Sequence, residues 1–105
     1  MENNQTLKEL NACAILCNIC YTNCLMDKEG LMARCIQLTR ECAEACQIAQ
    51  TMFSIGSDLT AKYLGLCAEA SQRCAEECDK SNMDHCQKCA HVCRTCAQMC
   101  LTYQA

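Results

Sequence analysis

Between Cys86 and Cys100 five cysteines recur at gaps of three, four, three and four: Cys86, Cys89, Cys93, Cys96 and Cys100. That alternation keeps one side-chain column on a helix face turned toward partner helices. An ordinary bundle fills such a seam with Leu, Ile or Val. Here every seam position is a thiol.

Three more stretches repeat the pattern. Helix 1 is expected over about Leu7–Met26, with the seam Leu10, Cys13, Cys17, Cys20, Cys24. Asp27–Gly30 is a polar turn, with Gly30 suited to a left-handed conformation. Helix 2 is expected over about 31–55, with Cys35, Thr39, Cys42, Cys46, Ala49 and Phe53 inward. Gly56-Ser57-Asp58 ends it, and Ser57 is the expected N-cap of helix 3. Helix 3 covers about 59–79, with the seam Thr60, Leu64, Cys67, Ser71, Cys74, Cys78. Helix 4 covers about 82–103, after a capping-box-like Ser81-x-x-Asp84. With no proline and three glycines, the chain suits one all-α domain: an antiparallel, up-down-up-down four-helix bundle with a cysteine-lined core.

Composition sharpens this. The 105 residues are 51% hydrophobic only because 15 cysteines are counted, and there is one Phe and no Trp. The core must be largely sulfur and alanine. A net charge of -3 leaves no basic footprint for nucleic acid. The N-terminal Met1–Thr6 stretch is polar, without an export-signal pattern, and no apolar run is long enough to span a bilayer. A soluble, cytoplasmic protein is expected. Charges such as Arg40, Glu41, Arg73 and Arg94 lie off the seams and read as a solvated outer face.

Helices 2 and 3 share a weak repeat at an offset of 32: Cys35, Cys42 and Cys46 match Cys67, Cys74 and Cys78, and Thr39 matches Ser71. Stacked from the end holding the 1–2 and 3–4 turns, Cys24, Cys35, Cys78 and Cys86 form the expected mouth layer. Cys20, Cys42, Cys74 and Cys89 come next, then Cys13, Cys17, Cys46, Cys67, Cys93, Cys96 and Cys100. The column spans roughly 25 Å. Thr39 and Ser71 are expected at similar depth, as one sulfur-poor layer. The far end is closed by Leu7, Leu10, Phe53, Ile55, Leu59, Leu64, Leu101 and Tyr103. The near end carries Met26, Met32, Met83 and His85, soft or exchangeable ligands.

Four uses of such a seam compete. Inert thiols could fill the core, but leucine would pack it better. Disulfides leave one thiol over, and neighbouring seam positions on one helix hold Cβ atoms about 5–6 Å apart where a bridge needs about 3.5–4.5 Å. Zinc prefers closed four-ligand sites on turns. Several such sites, each with two excess negative charges, are costly in a dry column. Iron–sulfur clusters usually draw on loop cysteines. Soft thiolates select copper(I), which accepts two or three sulfurs. One Cu(I) replaces one thiol proton, so a core with about one ion per cysteine stays near neutral. No arrangement for nucleophilic catalysis stands out, so no enzyme is expected. His91 reads as an outer-face residue. His85, beside Cys86, is a candidate ligand at the mouth.

Asp84-His85-Cys86-x-x-Cys89-Ala90-x-x-Cys93-x-x-Cys96-Ala97-x-x-Cys100, with Glu41-Cys42-Ala43-x-x-Cys46 and Cys13-x-x-x-Cys17-x-x-Cys20, resembles the bacterial copper storage proteins, most closely their cytosolic branch. The resemblance covers about residues 7–103. It implies a four-helix bundle, often a homotetramer, whose inward cysteines bind many Cu(I) ions for storage or detoxification. All fifteen cysteines then become ligands, namely Cys13, Cys17, Cys20, Cys24, Cys35, Cys42, Cys46, Cys67, Cys74, Cys78, Cys86, Cys89, Cys93, Cys96 and Cys100, with His85 beside them. Met26, Met32 and Met83 are further candidates at the mouth. Members of that branch tend to have more cysteines and a more His-rich mouth. Here Thr39 and Ser71 interrupt the column, and Met32 and Met83 stand where histidines are expected. The alternatives are a general thiol buffer for zinc or cadmium, and a structural bundle with inert thiols. Off-seam Ile15, Ile19, Ile36 and Ile48 could serve a subunit contact or flank the core.

Overall fold

A computed structural model describes residues 2–104. Four helices follow one another: α1 (Glu2–Leu25), α2 (Ala33–Ser54), α3 (Thr60–Cys78) and α4 (Asp84–Gln104). Each packs on its chain neighbour, and α4 closes back on α1. Among the described residues the diagonal pairs do not meet, so the bundle is four-cornered and antiparallel. The rod measures 44 × 18 × 17 Å.

The seams explain the closure. Seam residues from Cys13 to Cys100 lie inside, joined by small residues such as Ala14, Ala43, Ala68, Ala75, Ala90 and Ala97. Small neighbours let the backbones approach closely enough for short thiols to meet. Gly30 and Gly56 both sit at φ 68°, the left-handed region each turn requires.

Several local expectations shift. Helical backbone begins at Glu2, ahead of Leu7. α3 begins at Thr60, with Leu59 rather than Ser57 at its N-cap. Ser57 Oγ instead accepts from the Leu59 N–H at 3.0 Å, stabilising the turn before the helix. Ser81 acts likewise ahead of α4, accepting from the Met83 N–H at 3.2 Å. Asp84 pairs with Lys88 at 3.1 Å instead of completing a capping box.

The far-end plug is also narrower than expected. Leu10 and Leu64 are fully buried, and Phe53 is half-buried with its ring edge-on to Tyr103 at 5.7 Å. Ile55, Leu59, Leu101 and Tyr103 are exposed. Ile55 and Leu59 lie in the turn between α2 and α3, beyond both helix ends.

Candidate metal centre

All fifteen cysteines are free and buried, none more than 2% exposed. Their sulfurs form one connected lattice. At the mouth Cys24 and Cys35 approach to 3.4 Å, Cys35 and Cys78 to 3.7 Å, and Cys20 reaches both Cys24 and Cys86 at 3.9 Å. One turn deeper, Cys89 meets Cys17 at 3.8 Å and Cys74 at 4.0 Å. Below them Cys13 meets Cys42 at 3.7 Å and Cys93 at 3.8 Å, and Cys17 meets Cys93 at 3.6 Å. Deeper still, Cys46 and Cys67 are 3.5 Å apart, and Cys13, Cys46 and Cys96 form a further group.

One expected layer is wrong and another is shared. Cys42 lies deeper, with Cys13, Cys17 and Cys93, whereas Cys20 bridges the mouth cysteines Cys24, Cys35 and Cys86 to Cys78 and to Cys89, its expected neighbour. Thr39 and Ser71 are not at one depth. Thr39 is four residues in from Cys35, whereas Ser71 is seven in from Cys78, its partner across the mouth. The offset-32 repeat matches positions read in one direction, but α2 and α3 run in opposite directions. Their uses differ too. Thr39 Oγ1 donates to the Cys35 carbonyl at 2.8 Å and so bonds its own helix. Ser71 Oγ lies 3.4 Å from Cys42 Sγ and 3.9 Å from Cys13 Sγ, so it joins the lattice.

His85 Nδ1 lies 3.3 Å from Cys20 Sγ and 3.5 Å from Cys86 Sγ, with the ring half-buried on the α1/α4 side of the mouth. Met32 is half-buried against the core, whereas Met26 and Met83 are exposed. His91 is exposed. It lines a groove of about 950 Å³ along α1 and α4, together with Thr6, Glu9, Arg94, Met99 and Tyr103. That groove contains no thiol and lies apart from the sulfur chemistry.

The thiols hold one another's protons unequally. Hydrogen bonds from Cys20 and Cys78 hold the Cys35 thiol down to about 3. Donors at Cys13 and Cys17 lower Cys42, those at Cys17 and Cys20 lower Cys89, and those at Cys100 and Cys13 lower Cys96. Burial raises Cys24 and Cys86. Arg40, Arg73 and Arg94 stay outside the column, paired with Glu44, Glu41 and Asp79.

What this arrangement can hold follows from spacing. A soft ion about 2.3 Å from each of three sulfurs separates them by about 4 Å. The lattice already presents sulfurs at 3.4 to 4.0 Å. At least five groups of three or four have all sulfurs within 4.8 Å of one another. Cys13, Cys17, Cys20, Cys89 and Cys93 each belong to at least two of these groups. Isolated four-sulfur cages would need their own ligands, whereas shared sulfurs suit adjacent ions bridged by thiolates.

Comparison with known proteins decides the family. The copper storage protein family model matches residues 1–105. This chain belongs to the copper storage protein family. An uncharacterized cysteine-rich protein of Bacillus subtilis (strain 168), YhjQ, is 38% identical over 94 residues, 89% of this chain and 87% of its own length. The Cu(I)-bound copper storage protein BsCsp3 superposes with a TM-score of 0.93 at 34% identity, covering 100% of both chains. Ccsp of Streptomyces lividans, loaded with 10 copper equivalents, has a TM-score of 0.93 at 26% identity, covering 98% of this chain and 83% of its own. The bundle with a thiol-lined axis is therefore the architecture of this storage family.

Two features of this family member had no clear mark in its sequence. One is Ser71 as a lattice neighbour, which depends on antiparallel register. The other is a groove on the α2/α3 side, walled in part by Leu31, Met32 and Ser81 from the turns and reaching Cys35.

Proposed function

We propose that this chain stores multiple Cu(I) ions along its bundle axis, with all fifteen cysteines as ligands and His85 as a further ligand beside Cys20 and Cys86. The observation that carries this is the connected lattice of buried, free thiols with shared sulfurs. Each Cu(I) that displaces one thiol proton leaves the core charge unchanged, so filling incurs no growing desolvation cost. A divalent ion in a four-thiolate site would add two negative charges each time. The bound forms of BsCsp3 and Ccsp support the same cargo.

The role is non-catalytic: the lattice buries its sulfurs rather than presenting them to a substrate. A reducing compartment keeps such thiols free, which supports a cytoplasmic setting. No described helix is long and apolar enough to cross a membrane. Apolar Ile15, Ile19 and Ile48 outside the core support self-association, with a homotetramer as the assembly the family resemblance implies.

Anaerobic titration of the reduced protein with Cu(I) against a chromophoric chelator tests this, with Zn(II) in parallel. The expected result is about one Cu(I) withheld per cysteine before the chelator competes. Uptake of only a few ions, or zinc held at four sulfurs per ion, would overturn it in favour of a general thiol buffer.

A further inference from the structure

The mouth of the column has two unlike flanks. On the α1/α4 flank, His85 lies against Cys20 and Cys86. On the α2/α3 flank, a groove of about 260 Å³ is walled by Leu31, Met32, Glu77, Lys80 and Ser81 and reaches Cys35. Cys35 is the most exposed of the fifteen thiols, at 2%. The other mouth methionines do not line this groove, and Met26 is 72% exposed. Lys80 and Glu77 pair at 3.1 Å beside it. From Cys35 the lattice continues without a gap to Cys24 at 3.4 Å and Cys78 at 3.7 Å.

We propose that this side groove is the port through which copper is exchanged, with the Met32 thioether and Cys35 Sγ taking Cu(I) from a small thiol carrier. The inference rests on the storage reading and adds the place and partner of loading. A groove this size admits a ligand of side-chain dimensions rather than a folded chaperone domain. A thioether is soft enough to hold Cu(I) in passing, and weak enough to release it to a thiolate. In the exchange the bond from copper to the carrier's sulfur breaks and a bond to Cys35 Sγ forms. The departing carrier thiolate takes one proton from the thiol network that Cys35 shares with Cys24 and Cys78, and copper stays Cu(I) throughout.

Two measurements test this. In the first, reduced copper-free protein is treated with substoichiometric iodoacetamide and mapped by peptide mass spectrometry. Cys35 should be alkylated first, and first alkylation at Cys20, Cys24 or Cys86 would overturn the port. In the second, loading from Cu(I)–glutathione is followed in wild type, Met32→Leu and Met83→Leu. Met32→Leu conserves volume and should load roughly three- to tenfold more slowly. Met83→Leu should load at the wild-type rate, and all three should reach the same final copper content. Wild-type speed in Met32→Leu, or equal slowing in Met83→Leu, would overturn the proposal. If wild type retains no copper at all, the storage reading itself fails. Normal retention with the wrong alkylation order sinks the port alone.

Discussion

The two ends of this bundle share one backbone geometry and differ in what fills it. At the far end Leu10 and Leu64 are fully buried, Thr60 bonds the Met52 and Ser57 carbonyls, and Phe53 meets Tyr103. At the mouth the same inward positions hold Cys24, Cys35, Cys78 and Cys86, with His85 and Met32 at the flanks. The apolar end makes the contacts that stabilise the fold without cargo. The sulfur end contributes less packing volume and leaves buried polarizable groups that a soft ion can join. Folding and storage are thus concentrated at opposite ends of one rod.

Mutations should separate these roles. The largest expected effect is on stability at the apolar end: Leu10→Ala or Leu64→Ala should cost about 2–5 kcal/mol in chemical denaturation of the copper-free protein. The copper count of the folded fraction should be unchanged. A large loss of copper with little loss of stability would break the comparison. At the mouth, Cys→Ser at Cys24, Cys35, Cys78 and Cys86 together should slow loading in stopped-flow mixing with a Cu(I) complex, while deeper sites stay competent. Equal loading rates in mutant and wild type would contradict a mouth at this end.

Smaller effects sharpen the picture. Ser71→Cys places a further thiol beside Cys13 and Cys42 and should raise capacity by about one ion in the chelator titration. No gain would mean that capacity is not set by the count of lattice sulfurs. pH should act through the copper-free mouth. Burial raises the Cys24 and Cys86 thiols above the ordinary value of 9.0, so above that pH the unfolded chain ionises them while the native protein does not. Stability should therefore fall as pH rises beyond about 9. Cys35 has the opposite sign: it is held down to about 3, and its contribution is complete above 9 and lost as pH falls toward 3. It adds no slope in the alkaline window. Denaturation midpoints that rise between pH 9 and 11 would contradict this assignment. Smallest, breaking the half-exposed Arg73–Glu41 pair between α3 and α2 should cost about 0–1 kcal/mol.

Much of this was legible because the cysteines mark their own helix faces. The 3–4 spacing identifies the seam on every helix, and the four seams meet along one axis. Depth was less legible. It depends on how antiparallel helices slide past one another, and the spacing along each helix does not contain that slide. Cys42 was therefore assigned to the wrong layer, and Thr39 and Ser71 to a single one. Helix starts at Ala33 and Thr60 lack a side-chain cap, so their boundaries carry no local chemical signature. The groove beside Cys35 draws its walls from turn residues and from Glu77, and no periodic pattern predicts where these meet.

The central claim is neutral filling: each stored ion takes the place of one thiol proton. Native mass spectrometry of the anaerobically loaded protein reads both quantities at once. Each bound Cu(I) should add its own mass less that of one proton, up to about one ion per cysteine. Ions that add mass without displacing protons, or that displace two each and stop after a few, would contradict a neutral Cu(I) column.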